Sequence, residues 1–249
     1  MLRILLLCLL SIVPLRAADT LRLLSYNIRH GEGMDRKIDL ARVADYIKAQ
    51  TPDVVFLQEI DKVCTRSGKA DQAAELGRLT GMTPHFAKFM DFQGGAYGMA
   101  ILTKLPVLES RTATLPAGSE PRASAVVTVQ TPSGPVTMAG VHFYETEAQR
   151  MAQAQALVAA IGHGKQDAII MGDFNSTPGD KVMTWLATLY QLPAKQGALQ
   201  ATWPSDNPRE NIDHIVYRLP AAWKIKDYRV LNEKIISDHR PLLCVLQRD

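Results

Sequence analysis

Eight side chains able to bind a metal ion or move a proton recur at the ends of apolar runs. Asn27 follows the first such run, Glu59 another, and His142 closes a third; Asp173 and Asn175 follow Met171, Asp213 lies in Asn-Ile-Asp-His-Ile, and Asp238 and His239 precede the last. Taken singly each has a bland reading, because Asn and Asp start turns and a lone His is more often structural than catalytic. Taken together they are hard oxygen donors and imidazoles, suited to Mg2+ or Mn2+ and to proton transfer. No Cys/His cluster has the spacing of a zinc site. In a sheet protein, side chains at strand ends project into one rim where loops gather them.

The elements that must hold these residues alternate between short apolar runs and amphipathic segments. Residues 21–28 read as a strand, and 37–49 place Leu40, Val43, Ala44 and Ile47 on one helical face. The run 54–57 is continuous and apolar, as expected of a strand covered on both sides. A helix near 71–79 is followed by strands near 84–90, 97–103, 106–114, 122–130 and 135–143, so the middle is antiparallel in character. Next comes a long helix with a buried stripe of Met151, Ala154, Leu157, Val158 and Ile161, a capping box from Thr146 and Gln149, and Gly162 and Gly164 at its end. A buried strand over 167–171, a helix over 179–190 and strands near 212–218, 224–231 and 241–247 complete the chain. The stretch 191–211, rich in Pro, Gly and Asn, predicts a loop beside the site. Without repeat or linker, one α/β domain with a sheet core is the economical reading.

The chain has 249 residues, 47% of them hydrophobic and 21% charged, with 16 Gly and 14 Pro, values that exclude disorder, collagen and a coiled coil. Residues 1–18 have the outline of a secretory signal: Arg3, an apolar stretch over 4–13, Pro14, Arg16, and small residues at Ala17 and Ala18. A mature, exported domain over 19–249 is expected, secreted or periplasmic. The run is too short for an anchor, so no integral membrane segment is expected after cleavage. Cys8 is preceded by leucines, which argues against lipidation. Loss of Arg3 and Arg16 leaves 26 basic against 25 acidic residues. That near-neutral balance disfavours a partner that is a long polyanion. Of the two remaining cysteines, an oxidising compartment permits one bridge, but Cys244 in the apolar run 242–246 reads as a core thiol.

Six motifs follow in order along almost the whole mature chain: Ser25-Tyr26-Asn27-Ile28, Leu57-Gln58-Glu59-Ile60-Asp61, Tyr97-Gly98-Met99-Ala100-Ile101-Leu102, Gly172-Asp173-Phe174-Asn175, Ile212-Asp213-His214-Ile215 and Ser237-Asp238-His239-Arg240-Pro241. In them the sequence resembles the endonuclease/exonuclease/phosphatase superfamily of divalent-metal-dependent phosphoesterases. Arg66-Ser67-Gly68, Asp71-Gln72 and Thr202-Trp203-Pro204-Ser205 look like a small exported bacterial branch of it. The resemblance implies a four-layer α/β/β/α sandwich, two packed and mainly antiparallel sheets flanked by helices. It implies Mg2+, with Mn2+ as substitute, at Asn27, Glu59 and Asp238. Asp173 would orient or deprotonate the attacking water, Asn175 would hold water or a phosphate oxygen, and His142 would contact the phosphate or assist the leaving group. His239 would bond the phosphoryl group or act as base, with Asp213 fixing its tautomer; which of Asp173 and His239 takes the proton stays open. Arg66 and Arg122 would bind substrate phosphate or, equally, pair with carboxylates. His214 reads as structural and Trp203 as loop packing. One departure stands out, for many relatives carry Asn where this chain has Met99, and Met cannot orient a neighbouring histidine by hydrogen bonding.

The expected function is a phosphoesterase acting on a phosphodiester or phosphomonoester through water attack. A small soluble phosphorylated substrate or a lipid headgroup is favoured over long nucleic acid, and a monomer is expected. Two other classes compete: a catalytically silent phosphate-binding module on the same fold, which should have lost a residue such as Glu59 or Asp173, and a toxin-like subunit that needs partner chains.

Overall fold

The computed structural model describes residues 19–163 and 166–248; the expected signal segment and Gly164 lie outside the described residues. In chain order the elements are β1 (Thr20–Asn27), α1 (Leu40–Ala49), β2 (Val54–Lys62), α2 (Gln72–Thr80), β3 (Thr83–Phe92), β4 (Gly95–Thr103), β5 (Val107–Leu115), β6 (Arg122–Thr131), β7 (Gly134–His142), α3 (Glu147–Ala160), β8 (Ala168–Asp173), α4 (Lys181–Leu186), β9 (Asp213–Arg218), β10 (Trp223–Val230) and β11 (Leu242–Arg248). Helix starts follow side-chain chemistry. Asp39 and Asp71 accept the amides of Arg42 and Ala74, and Thr146 and Gln149 form the expected capping box. Gly81, at φ 70°, closes α2 in the left-handed conformation that suits glycine. The helix expected over 179–190 is shorter and gives way to tight turns, in which Thr188 and Leu189 donate to Trp185 and Leu186.

The strands form two mixed sheets, one in the order β10-β11-β1-β2-β4-β3 and the other β5-β6-β7-β8-β9. Among the described residues only the β1/β2 and β7/β8 pairs are parallel, and each is joined through a helix, α1 or α3. Both strands of the two pairs are nearly all buried, which explains why 54–57 reads as an unbroken apolar run and 167–171 as a buried strand. Side chains such as Phe56, Met99, Ile101, Val127, Met138, Ile169 and Ile215 fill the space between the sheets. Val43, Ile47 and Leu76 cover the outer face of the first sheet, and Leu157, Val158, Val182 and Met183 that of the second. The layers are therefore α/β/β/α, as the resemblance implied. Cys64 and Cys244 are both buried and free, and Cys64 points its thiol at the carbonyls of Phe92 and Ala96. Among the described residues no helix is long and apolar enough to cross a membrane.

Candidate active site

Strand register assembles the second sheet's contribution. His142 pairs with Asp173 across β7/β8, and Asp173 pairs with Asp213 across β8/β9, so the three stand side by side at one level of three adjacent strands. Gly172, just before, has φ 152°, and a Cβ there would lie 2.2 Å from the Val141 carbonyl oxygen, so the strands approach closely only because the position is glycine. The first sheet supplies Asn27 from the end of β1 and Glu59 from a bulge where β2 shifts register between Leu57 and Ile60. Glu59 takes φ 57° and Asn175 φ 46°, left-handed values that are uncommon outside glycine and mark a constrained site.

Asn27 joins the two halves. Its Nδ2 donates to Glu59 Oε1 at 3.1 Å and to Asp173 Oδ2 at 3.3 Å, while its backbone carbonyl accepts from Ser237 Oγ at 2.6 Å. The Nε2 atoms of His142 and His239 each lie 3.7 Å from Asp173 Oδ2, and His239 Nδ1 meets Asp213 Oδ2 at 3.0 Å. Glu59, His142, Asp173, Asn175, Asp238 and His239 line a cavity of about 510 Å3. Asp213 sits behind His239, with its backbone amide donating to Thr202 Oγ1.

Burial and charge set the protonation states. Burial, with the Asp213 charge, pushes the Asp173 carboxyl up to about 7 against the pull of His239. For His239 burial opposes the charged form, but the Asp213 carboxylate, by charge and hydrogen bond, outweighs it and pushes the imidazole up to about 10. The same contact holds Asp213 low despite its burial. His142 is the reverse case: burial, aided by Arg122 and His239, drives it well below the usual range, so it is neutral at pH 7. Its Nδ1 has no hydrogen-bond partner, and Met99 packs its methyl group over Gly140 in the apolar core, in keeping with the departure seen in the sequence.

The donor set suits a hard divalent cation. Glu59 is a carboxylate pushed up by burial whose one side-chain partner among the described residues is the Asn27 amide, and Asp238 lines the same cavity with a carboxylate that, among those residues, takes only a 3.3 Å bond from Ser237. Asp173, Asp213 and His239 also present ligand atoms within 4.8 Å of one another. Both ring nitrogens of His239, however, already face carboxylates, an arrangement that favours an imidazolium over a metal ligand.

The two arginines differ. Arg122, 3% exposed, lines the cavity with its guanidinium over the Phe89 and Tyr144 rings at 5.1 and 4.6 Å, and Nη1 donates to Glu120 at 2.9 Å. Arg66 lies instead in an adjoining pocket of about 140 Å3, donating from Nε and Nη2 to the fully buried Asp61 at 2.8 Å each. His214 is structural, as expected: its Nε2 meets the Ser176 and Asn211 carbonyls at 2.9 Å, and burial drives it down to about 3. Trp203, read as packing, lines the cavity along with Tyr97, Glu120, Tyr144, Glu210 and Ile212. Tyr97, Ile212 and Trp203 lie inside the quoted motifs, whereas Glu120, Tyr144 and Glu210 carry no local signal.

Residues 24–239 match the Endonuclease/Exonuclease/phosphatase family. The chain belongs to that family. Its members are phosphoester hydrolases, generally dependent on a divalent metal, and this coarse activity is that of the site. None of the curated proteins shows significant sequence similarity to the chain. The fold is similar to that of a functionally unknown conserved protein from Enterococcus faecalis, with TM-score 0.76, 19% identity, and 92% of this chain and 100% of that one covered. It is also similar to a mannosyl-6-phosphatase from Bacteroides thetaiotaomicron, with TM-score 0.70, 19% identity and coverage of 91% and 99%. A third similar structure is the human Nocturnin catalytic domain with bound sulfate anion, with TM-score 0.71, 20% identity and coverage of 93% and 98%.

Proposed function

We propose that the mature chain is an exported, Mg2+- or Mn2+-dependent phosphoesterase acting on a small phosphorylated substrate. The observation that carries this reading is the Asp213–His239–Asp173 array beside Glu59 and Asp238 in one cavity. Glu59 and Asp238, with Asn27 after a turn of its amide, would hold the cation, which supplies Lewis-acid neutralisation of phosphoryl charge and a more acidic water. His239, charged at neutral pH, donates a hydrogen bond from Nε2 to the phosphoryl group while Asp213 holds Nδ1. With His239 charged, the proton acceptor is Asp173, whose carboxyl near 7 is poised to take a proton from water and which Asn175 steadies through a 2.9 Å amide bond. Neutral His142 contacts the phosphate or the leaving oxygen.

A silent binding module would not need this array of tuned groups. Metal-stripped mature protein should fail to hydrolyse bis(4-nitrophenyl) phosphate in excess chelator and regain activity with Mg2+ or Mn2+. Full activity in chelator, with elemental analysis showing no metal, refutes the metal requirement. Binding of phosphoesters without turnover under any metal would favour the silent module.

A further inference from the structure

Beyond the reacting centre, the cavity wall is chemically unlike a phosphate-tracking groove. Among the described residues that line it, Arg122 is the only arginine or lysine, and its charge is matched by Glu120. Arg66, in the adjoining pocket, is matched by Asp61. Glu210 adds an exposed carboxylate on the rim, where it brackets Trp203 through backbone bonds in both directions and, among the described residues, pairs with no cation. A polyanion would bring its flanking phosphates against Glu120 and Glu210. Ionised carboxylates only accept hydrogen bonds, so they select ligands rich in O–H donors. Trp203 and Tyr144 supply flat apolar faces on the same cavity.

We infer that this wall is a subsite for an uncharged, polyhydroxylated leaving group, a sugar or cyclitol, with Glu210 and Glu120 accepting its hydroxyls and Trp203 covering a face of its ring. The inference rests on the phosphoesterase reading and names the substrate class for that site.

Its test compares substrates matched in ester type: a hexose 6-phosphate with phenyl phosphate, and glycerophosphoinositol with bis(4-nitrophenyl) phosphate. Phosphatidylinositol vesicles separate a lipid-borne polyol from a soluble one. The polyol member of a matched pair should be preferred at least tenfold in kcat/KM. Glu210→Gln and Trp203→Ala should each cut that preference at least fivefold, mainly through KM, whereas general damage to the fold would lower both members of a pair alike. Saturation-transfer NMR with free inositol gives a reading independent of turnover, with transfer expected in the wild type and lost in both variants. If no ester is hydrolysed but that transfer pattern holds, the subsite stands and the catalytic reading falls. Hydrolysis of the aryl esters with no polyol preference, faster cleavage of an oligonucleotide, or a preference untouched by both variants overturns the subsite.

Discussion

At the scale of single residues, the site is governed by three buried ionisable groups that cannot be described separately. Asp213 makes His239 a cation, and that cation restrains Asp173 from rising further. Replacing Asp213 with Asn removes the largest upward influence on His239, so burial should dominate and its imidazole should titrate far lower, as NMR of the metal-free protein can follow. His239→Ala should cost roughly 10^2 to 10^4 in kcat/KM. The Asp213→Asn/His239→Ala double variant should lose little beyond the worse single one, since groups acting as a unit are non-additive. Additive losses would detach Asp213 from His239. The pH dependence follows the same states. On the proposed mechanism activity needs ionised Asp173 and charged His239, so kcat/KM should rise through about 7 and fall towards 10. Because Asp173 sits above its ordinary 3.8, it weakens the fold progressively as pH climbs to 7, and the full cost remains above that. Asp173→Asn should therefore raise Tm at pH 8, by about 2–4 °C for each kcal/mol relieved, and change it little below pH 4 while activity is lost. His239 shares that direction with pH although its contribution is favourable: it is complete below 6.5 and disappears as pH rises through about 10.

At the scale of elements, what was legible in the sequence was whatever periodicity or capping encodes. Strands β3 to β7 follow from a series of short apolar runs, and the α3 capping box from Thr146 and Gln149. Thr146→Ala should lower stability by about 1 kcal/mol in urea unfolding with no effect on kcat, because the cap lies on the helix and not in the cavity lining. The end of β2 was not legible. The apolar run stops at Leu57, but the strand continues to Lys62 through a bulge that aims Glu59 into the site, and a bulge breaks the pattern that would announce it. The rim was hidden for a related reason. Glu120, Tyr144 and Glu210 come from loops, and the loop that carries Glu210 is tied down by distant contacts such as those of Ser205 with the Asp238 and Lys234 carbonyls, not by local spacing. By contrast Asp213 and His239, 26 residues apart, lie in contact at 3.0 Å, and it is the family motifs, not composition, that suggest looking for that pair.

At the scale of the molecule, two sheets with matching local order, β11-β1-β2-β4 and β6-β7-β8-β9, each place one parallel pair at the site. The mature chain is nearly neutral once residues 1–18 are removed, so the expected export and the charge balance are linked. Mass spectrometry of protein from its native host should find an amino terminus near Ala18 or Asp19. Recovery of an intact Met1 form from the cytoplasm would refute export.

The Asn27 amide, bonded to Glu59 in one sheet and to Asp173 in the other, makes the reactive centre a seam between two slabs. Sliding of one slab against the other by a fraction of an ångström would part the residues proposed to hold a cation from the proposed proton acceptor while leaving every strand hydrogen bond intact. Heat or hydrostatic pressure would thus silence the enzyme at a point where spectroscopy still reports a folded sandwich, and its working temperature would be capped by the stiffness of that greasy interlayer rather than by melting.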